Sequence, residues 1–74
     1  MFIEMTGKTL SAMMHDDELG MVNLSDVGVH DETVVRVNKQ GDIEVRKPGG
    51  WDIIGGLIGE FENRVKHATG LDWA

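Results

Sequence analysis

The apolar residues of the chain fall into two rhythms. Between Thr33 and Lys47, in TVVRVNKQGDIEVRK, they alternate: Val35 and Val37 on one side of a polar interruption, Ile43 and Val45 on the other. β-Branched residues at a period of two favour a pleated, half-buried strand, and Asn38, Lys39, Gln40, Gly41 and Asp42 between them carry turn chemistry. The stretch predicts a β-hairpin, and burial fixes its register. A loop of Asn38 to Gly41 would set Val37 against Asp42 and Val35 against Glu44, placing carboxylates on the valine face. A loop of Lys39 to Gly41 pairs Asn38 with Asp42, Val37 with Ile43 and Val35 with Val45, and leaves Arg36 opposite Glu44 on the other face. That loop is a type I turn closed by an αL residue, and Gly41 stands where αL is needed. A slip of one residue would turn every side chain over. The Arg36–Glu44 pair is expected to be exposed and to contribute at most about 1 kcal/mol.

The second rhythm follows Pro48-Gly49-Gly50, a break that neither continues a ladder nor restrains the chain. Trp51, Ile54, Ile58, Phe61 and Val65 recur at helical spacing, with Ile53, Leu57 and Ala68 on one shoulder. At 100° per residue they fill one broad arc, the pattern of an amphipathic helix against a core. Glu60–Arg64 and Glu62–Lys66 have the favourable i,i+4 order. Thr69-Gly70-Leu71 reads as the exit, with Gly70 in αL and Leu71 folding back towards Val65 or Lys66. Gly55, Gly56 and Gly59 disturb this helix, since each costs about 1 kcal/mol against alanine in a helix interior. Two explanations stand: a close approach of another backbone along the Gly55–Gly59 strip, or a helix that is irregular before Glu60.

The first part of the chain is less regular. Phe2, Ile3 and Met5 read as a short strand that would add to the hairpin, since two strands alone are marginal. Residues 9–24 read as one or two short helices, with Leu10, Met13 and Met14 on one face, then Leu19 and Val22. Asp16, Asp17 and Glu18 suit a helix start, and Thr9 or Ser11 suits a helix N-terminus. The methionines read as adaptable core filler. Ser25 to Asp31 reads as turns around Val27 and Val29. The fold class expected is therefore α+β: a small antiparallel sheet with a hairpin about 33–47 and an N-terminal strand 2–5, one or two short helices in 9–24, and a C-terminal amphipathic helix about 51–68 packed on the sheet.

The 74 residues make one small domain, and a chain of this size buries only about 60% of its unfolded surface. With no cysteine there is no disulfide and no thiolate metal site. Such a core is often completed by a second copy, so a homo-oligomer or another protein partner is expected. MFIEM lacks the basic and apolar regions of a signal peptide, and the apolar runs are too short to span a bilayer. A cytoplasmic protein with no membrane partner is expected.

The formal charge is −6. Residues 1–33 contribute −6, residues 34–50 contribute +2 and residues 51–74 contribute −2. An acidic chain is a poor general binder of phosphate backbones. Arg36, Lys39, Arg46 and Lys47 on the hairpin read first as charges that blunt a sheet edge.

Few residues suggest chemistry. Thr6-Gly7-Lys8-Thr9 invites comparison with the phosphate-binding loop, but Phe2 stands where that loop needs its first glycine, so a turn is expected. His15-Asp16-Asp17-Glu18 and His30-Asp31-Glu32 hold metal-ligand residue types. Neighbours in sequence point apart on a helix, so the two clusters would have to converge to bind a cation. An acidic, solvated surface is the expectation, with neither cofactor nor metal, and a non-enzymatic protein. A metal-dependent enzyme using His15 and His30 is a further alternative. In the tail, residues 71–74, Trp73 needs burial, either on its own domain or in a partner. Candidate interaction residues are Trp51, Ile54, Gly55, Ile58, Gly59, Phe61 and Trp73.

Val27-Gly28-Val29, Asp31, Val35, Val37, Gly41, Ile43, Val45 and Pro48 follow a pattern of small-residue turn, acid, alternating valines, glycine turn and second strand. In this, residues 24–48 resemble one half of the swapped-hairpin DNA-binding fold of transition-state regulators and related antitoxins. The resemblance covers about a third of the chain. It implies a dimer that contacts DNA through Arg36, Lys39, Arg46 and Lys47, with an acidic tail that covers a toxin. Residues 1–10 depart from that family, with one lysine and no proline. The leading expectation is a small acidic protein–protein interaction or self-association module, and the DNA-binding antitoxin-like regulator is the alternative.

Overall fold

A computed structural model describes residues 1–73. The hairpin forms with the register that burial demands. Strands β2 (Val34–Asn38) and β3 (Asp42–Lys47) pair antiparallel, with Val35 opposite Val45, Arg36 opposite Glu44 and Val37 opposite Ile43. Asn38 organises the turn. Its side-chain oxygen accepts from the Gln40 and Asp42 amides at 3.0 and 2.9 Å, and its amide nitrogen donates to Asp42 at 3.0 Å. Gly41 has φ of 92°, and a Cβ there would also lie 2.9 Å from the Leu57 carbonyl oxygen. Glycine is thus required twice, by conformation and by space.

Strand β1 (Phe2–Thr6) adds to β2 antiparallel, as the alternation of Phe2, Ile3 and Met5 predicts. Two short helices follow, α1 (Gly7–Met13), which begins two residues before the expected region 9–24, and α2 (Asp16–Met21), which lies inside it. Thr6 caps α1 by accepting from the Thr9 amide at 3.2 Å. The cap therefore lies three residues before the expected Thr9, which is inside the helix. Gly7, in the segment compared with a phosphate loop, lies against the His30 carbonyl with no room for a Cβ. Its amide donates to Thr33 at 2.8 Å. The segment is a turn from strand to helix.

The largest departure lies between Gly50 and Glu60. A helix from 51 is expected; instead Gly50–Gly56 is a fourth strand, β4, paired antiparallel with β3, and the C-terminal helix α3 runs only from Phe61 to Thr69. The physical reason is local. Three glycines, two β-branched isoleucines and a tryptophan in residues 50–56 form a poor helix, while β3 offers an unpaired edge across the Pro48-Gly49 turn. Gly55, Gly56 and Gly59 lie outside any helix, so the stretch before Glu60 is not helical at all. Between Ile43 and Glu44 the ladder shifts by one residue, and Ile54 is the extra residue of this bulge. The bulge turns Ile54 toward the core while Trp51 and Ile53 stay on the opposite face. That combination of inward and outward side chains is what imitates a helical arc in the sequence.

The sheet order is β1-β2-β3-β4. Ile3, Met5, Val35, Val37, Ile43 and Val45 face one side and are buried. Leu10 and Met13 of α1, Val65 of α3, and Met14, Val29, Leu57 and Trp73 complete the core over them. Fully burying each large aliphatic side chain contributes roughly 1.5–3 kcal/mol. Gly70 ends α3 in αL, with φ of 72° and its amide on the Lys66 carbonyl at 2.7 Å. Leu71 stays half exposed rather than folding back. Trp73, two residues further on, is buried instead, 5% exposed, and its indole N–H donates to the Val37 carbonyl at 3.0 Å. Of the tail, Ala74 lies outside the described residues. No helix among the described residues is long and apolar enough to cross a membrane.

Candidate functional site

Helices and loops cover one face of the sheet; the other face is bare. Strand alternation places Phe2, Glu4, Arg36, Glu44, Arg46, Trp51 and Ile53 on this open side, as the pairings of Glu4 with Arg36, Arg36 with Glu44, Glu44 with Ile53 and Arg46 with Trp51 require. At its centre the Arg36 guanidinium is held between two rings. Its carbon lies 3.6 Å from the centroid of Phe2 and 4.2 Å from that of Trp51. Arg36 Nε and Nη2 both donate to Glu44 Oε1, at 2.9 and 2.7 Å. The side chains of Arg36 and Glu44 are 23% and 11% exposed. The pair is therefore more deeply covered than expected, because aromatic side chains from the two edge strands fold over it. Ile53 stands beside it, 68% exposed.

A second arginine–carboxylate contact lies inside the molecule. Glu18, 1% exposed, accepts four hydrogen bonds: from Arg64 Nη1 and Nη2 at 2.7 and 2.9 Å, from the His15 amide at 2.7 Å and from the Ile58 amide at 2.7 Å. Arg64 also donates to the Met13 and Ile58 carbonyls at 2.8 and 2.7 Å, while its Nε is buried without a partner. The pair thus ties α1, α2, α3 and the 57–60 linker together. The Arg64 hydrogen bonds hold the Glu18 carboxyl down, at about 2, against burial, which acts the other way, with the Ile58 and His15 amides adding to the effect. Glu18 in turn raises Arg64. Sequence spacing gives no sign of this contact. The expected Glu60–Arg64 and Glu62–Lys66 pairs give way to Glu18–Arg64 and Lys66–Asp72; Glu60 stands at the N-cap position, outside the helical turn that the first pair needs.

The candidate interaction residues separate. Phe61 and Trp73 pack edge to face at 6.1 Å within their own domain. Ile54 is half-buried against the core. Gly55 lies against the Val22 side chain, where a Cβ would collide, so the close approach there is α2's trailing residue. A Cβ at Gly59 would meet nothing within 4 Å, and the two glycines share no helical strip. Ile58 is half exposed beside Glu18. Trp51 belongs to the open sheet face. Phe2 and Ile53 complete that face and lie outside the candidate set. The alternation Phe2–Glu4 and Trp51–Ile53 carries their signal, and the helical spacing of Trp51, Ile54 and Ile58 masks the second. Among the described residues no three His, Asp or Glu side chains converge as a metal site requires, and His15 and His30 do not come together in one.

The class that this geometry defines is an α+β domain with a four-stranded antiparallel sheet roofed on one side. Comparison of the chain with family models, with curated proteins and with solved structures gave no match.

Proposed function

We propose that the chain is a non-enzymatic protein-interaction module that binds through the open face of its sheet, with a second copy of itself as the first partner to test. The observation that carries this reading is the Phe2–Arg36–Trp51 stack beside the exposed Ile53. Aromatic and arginine side chains dominate binding hot spots, and these are already fixed by each other, so little rotamer freedom is lost on docking. The charges on the face are mixed in sign, with Glu4 and Glu44 among Arg36 and Arg46, which suits a protein surface better than a phosphate backbone. A swapped hairpin that reads DNA is less well supported, because β1 and β4 of the same chain occupy both sides of the β2–β3 hairpin. A cytoplasmic setting belongs to the same proposal.

Sedimentation over a concentration series tests it. Association that rises with concentration and is lost in Ile53→Lys is expected. A strict monomer at high concentration would remove the self-association half of the reading, and a partner-binding assay with the same variant would then decide the rest.

A further inference from the structure

A groove of about 780 Å³ runs between α1 and α3, on the helical side of the molecule and away from the open sheet face. Its size falls within the roughly 300–1,000 Å³ of small-molecule sites. Ala12, Met13, Met14 and Ala68 give it an apolar lining, and Lys8, His15 and His67 add cationic and N–H donor groups. One wall is stiffened, since Arg64 fixes the Met13 carbonyl at 2.8 Å.

We propose that this groove binds a small amphipathic monoanion, an aliphatic chain that ends in a carboxylate. Charge complementarity selects that class. The chain as a whole carries −6, yet none of the described residues that line the groove is Asp or Glu. Arg64 spends its charge on Glu18, whereas Lys8 makes no ion pair among the described residues. One unspent ammonium group suits a single negative charge, and the imidazoles offer N–H donors to the second carboxylate oxygen. Methionine side chains adapt to a flexible apolar body, so chain length is read loosely and the head group more strictly.

Decanoate, with decanol as its neutral counterpart, tests this by NMR of the methionine methyls and histidine imidazoles. Decanoate at millimolar concentration is expected to shift Met13, Met14, His15 and His67 saturably. Decanol, and decanoate with Lys8→Met, should bind roughly ten-fold more weakly, the loss of one charge-assisted hydrogen bond. Ala12→Trp, which fills the groove and keeps Lys8, should abolish the shifts. Both positions are exposed, and a thermal melt of each variant reports folding. Ile53→Lys should leave decanoate binding unchanged, which separates this site from the sheet face. Absence of saturable shifts, shifts centred on Ile53 and Trp51, or equal affinity for the alcohol would overturn the proposal.

Discussion

Glu18–Arg64 and Arg36–Glu44 are the same chemical pair in two settings. Both bring a guanidinium within 2.7 Å of a carboxylate oxygen. In the first, both carboxylate oxygens are used, four donors converge, and three helices and a linker depend on the result. In the second, two nitrogens share one oxygen, the partners are cross-strand neighbours that the ladder already holds together, and the rings of Phe2 and Trp51 form the cover. One contact assembles the fold; the other finishes a surface. The difference lies less in the ions than in what else relies on them.

The contrast is sharpest when one partner is removed. Glu18→Ala leaves the Arg64 charge buried and also frees the His15 and Ile58 amides. Breaking a buried pair in this way costs about 3–5 kcal/mol, which is much of the ~5–15 kcal/mol that a small domain has. Urea unfolding should show a midpoint far below that of the native chain. Many buried pairs can be exchanged for apolar residues at little cost, but here Glu18→Met with Arg64→Leu should remain destabilised, because the Met13 and Ile58 carbonyls and the two amides lose their partners at about 1–3 kcal/mol each. Recovery of full stability by that double variant would reduce the contact to an ordinary ion pair.

The same contact sets an acid limit. The unfolded Glu18 carboxyl takes up a proton near 4.5, while the folded one holds out until about 2. Its stabilisation is therefore complete above about pH 5 and is lost as pH falls towards about 2. The size is about 3 kcal/mol, since one unit corresponds to about 1.4 kcal/mol. Unfolding free energies followed across this range should fall steeply in the native chain and less steeply in Glu18→Gln, provided that variant folds at neutral pH. Parallel slopes would place the acid sensitivity in other carboxylates.

On the open face the same operation should do less. Arg36→Ala removes one ion pair and two cation–π contacts, each of the latter worth about 0.5–2 kcal/mol, and leaves Glu44 free to turn to water. A loss of about 1–2 kcal/mol is expected, with Trp51 fluorescence shifting as its neighbour goes. A loss equal to that of Glu18→Ala would erase the distinction between the two sites.

How far each site can be read from sequence follows the same line. Arg36 and Glu44 face each other because Gly41 and the valine alternation fix a register over a few residues, so local pattern suffices. Glu18 and Arg64 meet across 46 residues of chain, and nothing in His15-Asp16-Asp17-Glu18 marks its last carboxylate as the buried one. The neighbours Asp16 and Asp17 point to solvent, and the four look alike until α3 is in place. The strand at residues 50–56 is hidden for a third reason. A bulge at Ile54 breaks the period of two, and the result satisfies a helical arc that the glycines alone argue against. The hairpin register, the first strand, the short helices and the exit at Gly70 are legible because each rests on chemistry within a few positions.

The smallest effect on stability belongs to the residue that matters most to the proposed function. Ile53, 68% exposed on the open face, touches little of the folded chain, and exposed substitutions usually change stability by no more than about 0.5 kcal/mol. Ile53→Lys should therefore melt with the native chain while its concentration-dependent association disappears, since an ammonium group would have to be buried in any interface over that face. The two readings answer different questions. If association persists with an unchanged melt, the face is free surface and the partner binds elsewhere. If the melt collapses, Ile53 is internal to the domain, and the open side of the sheet is not a surface at all.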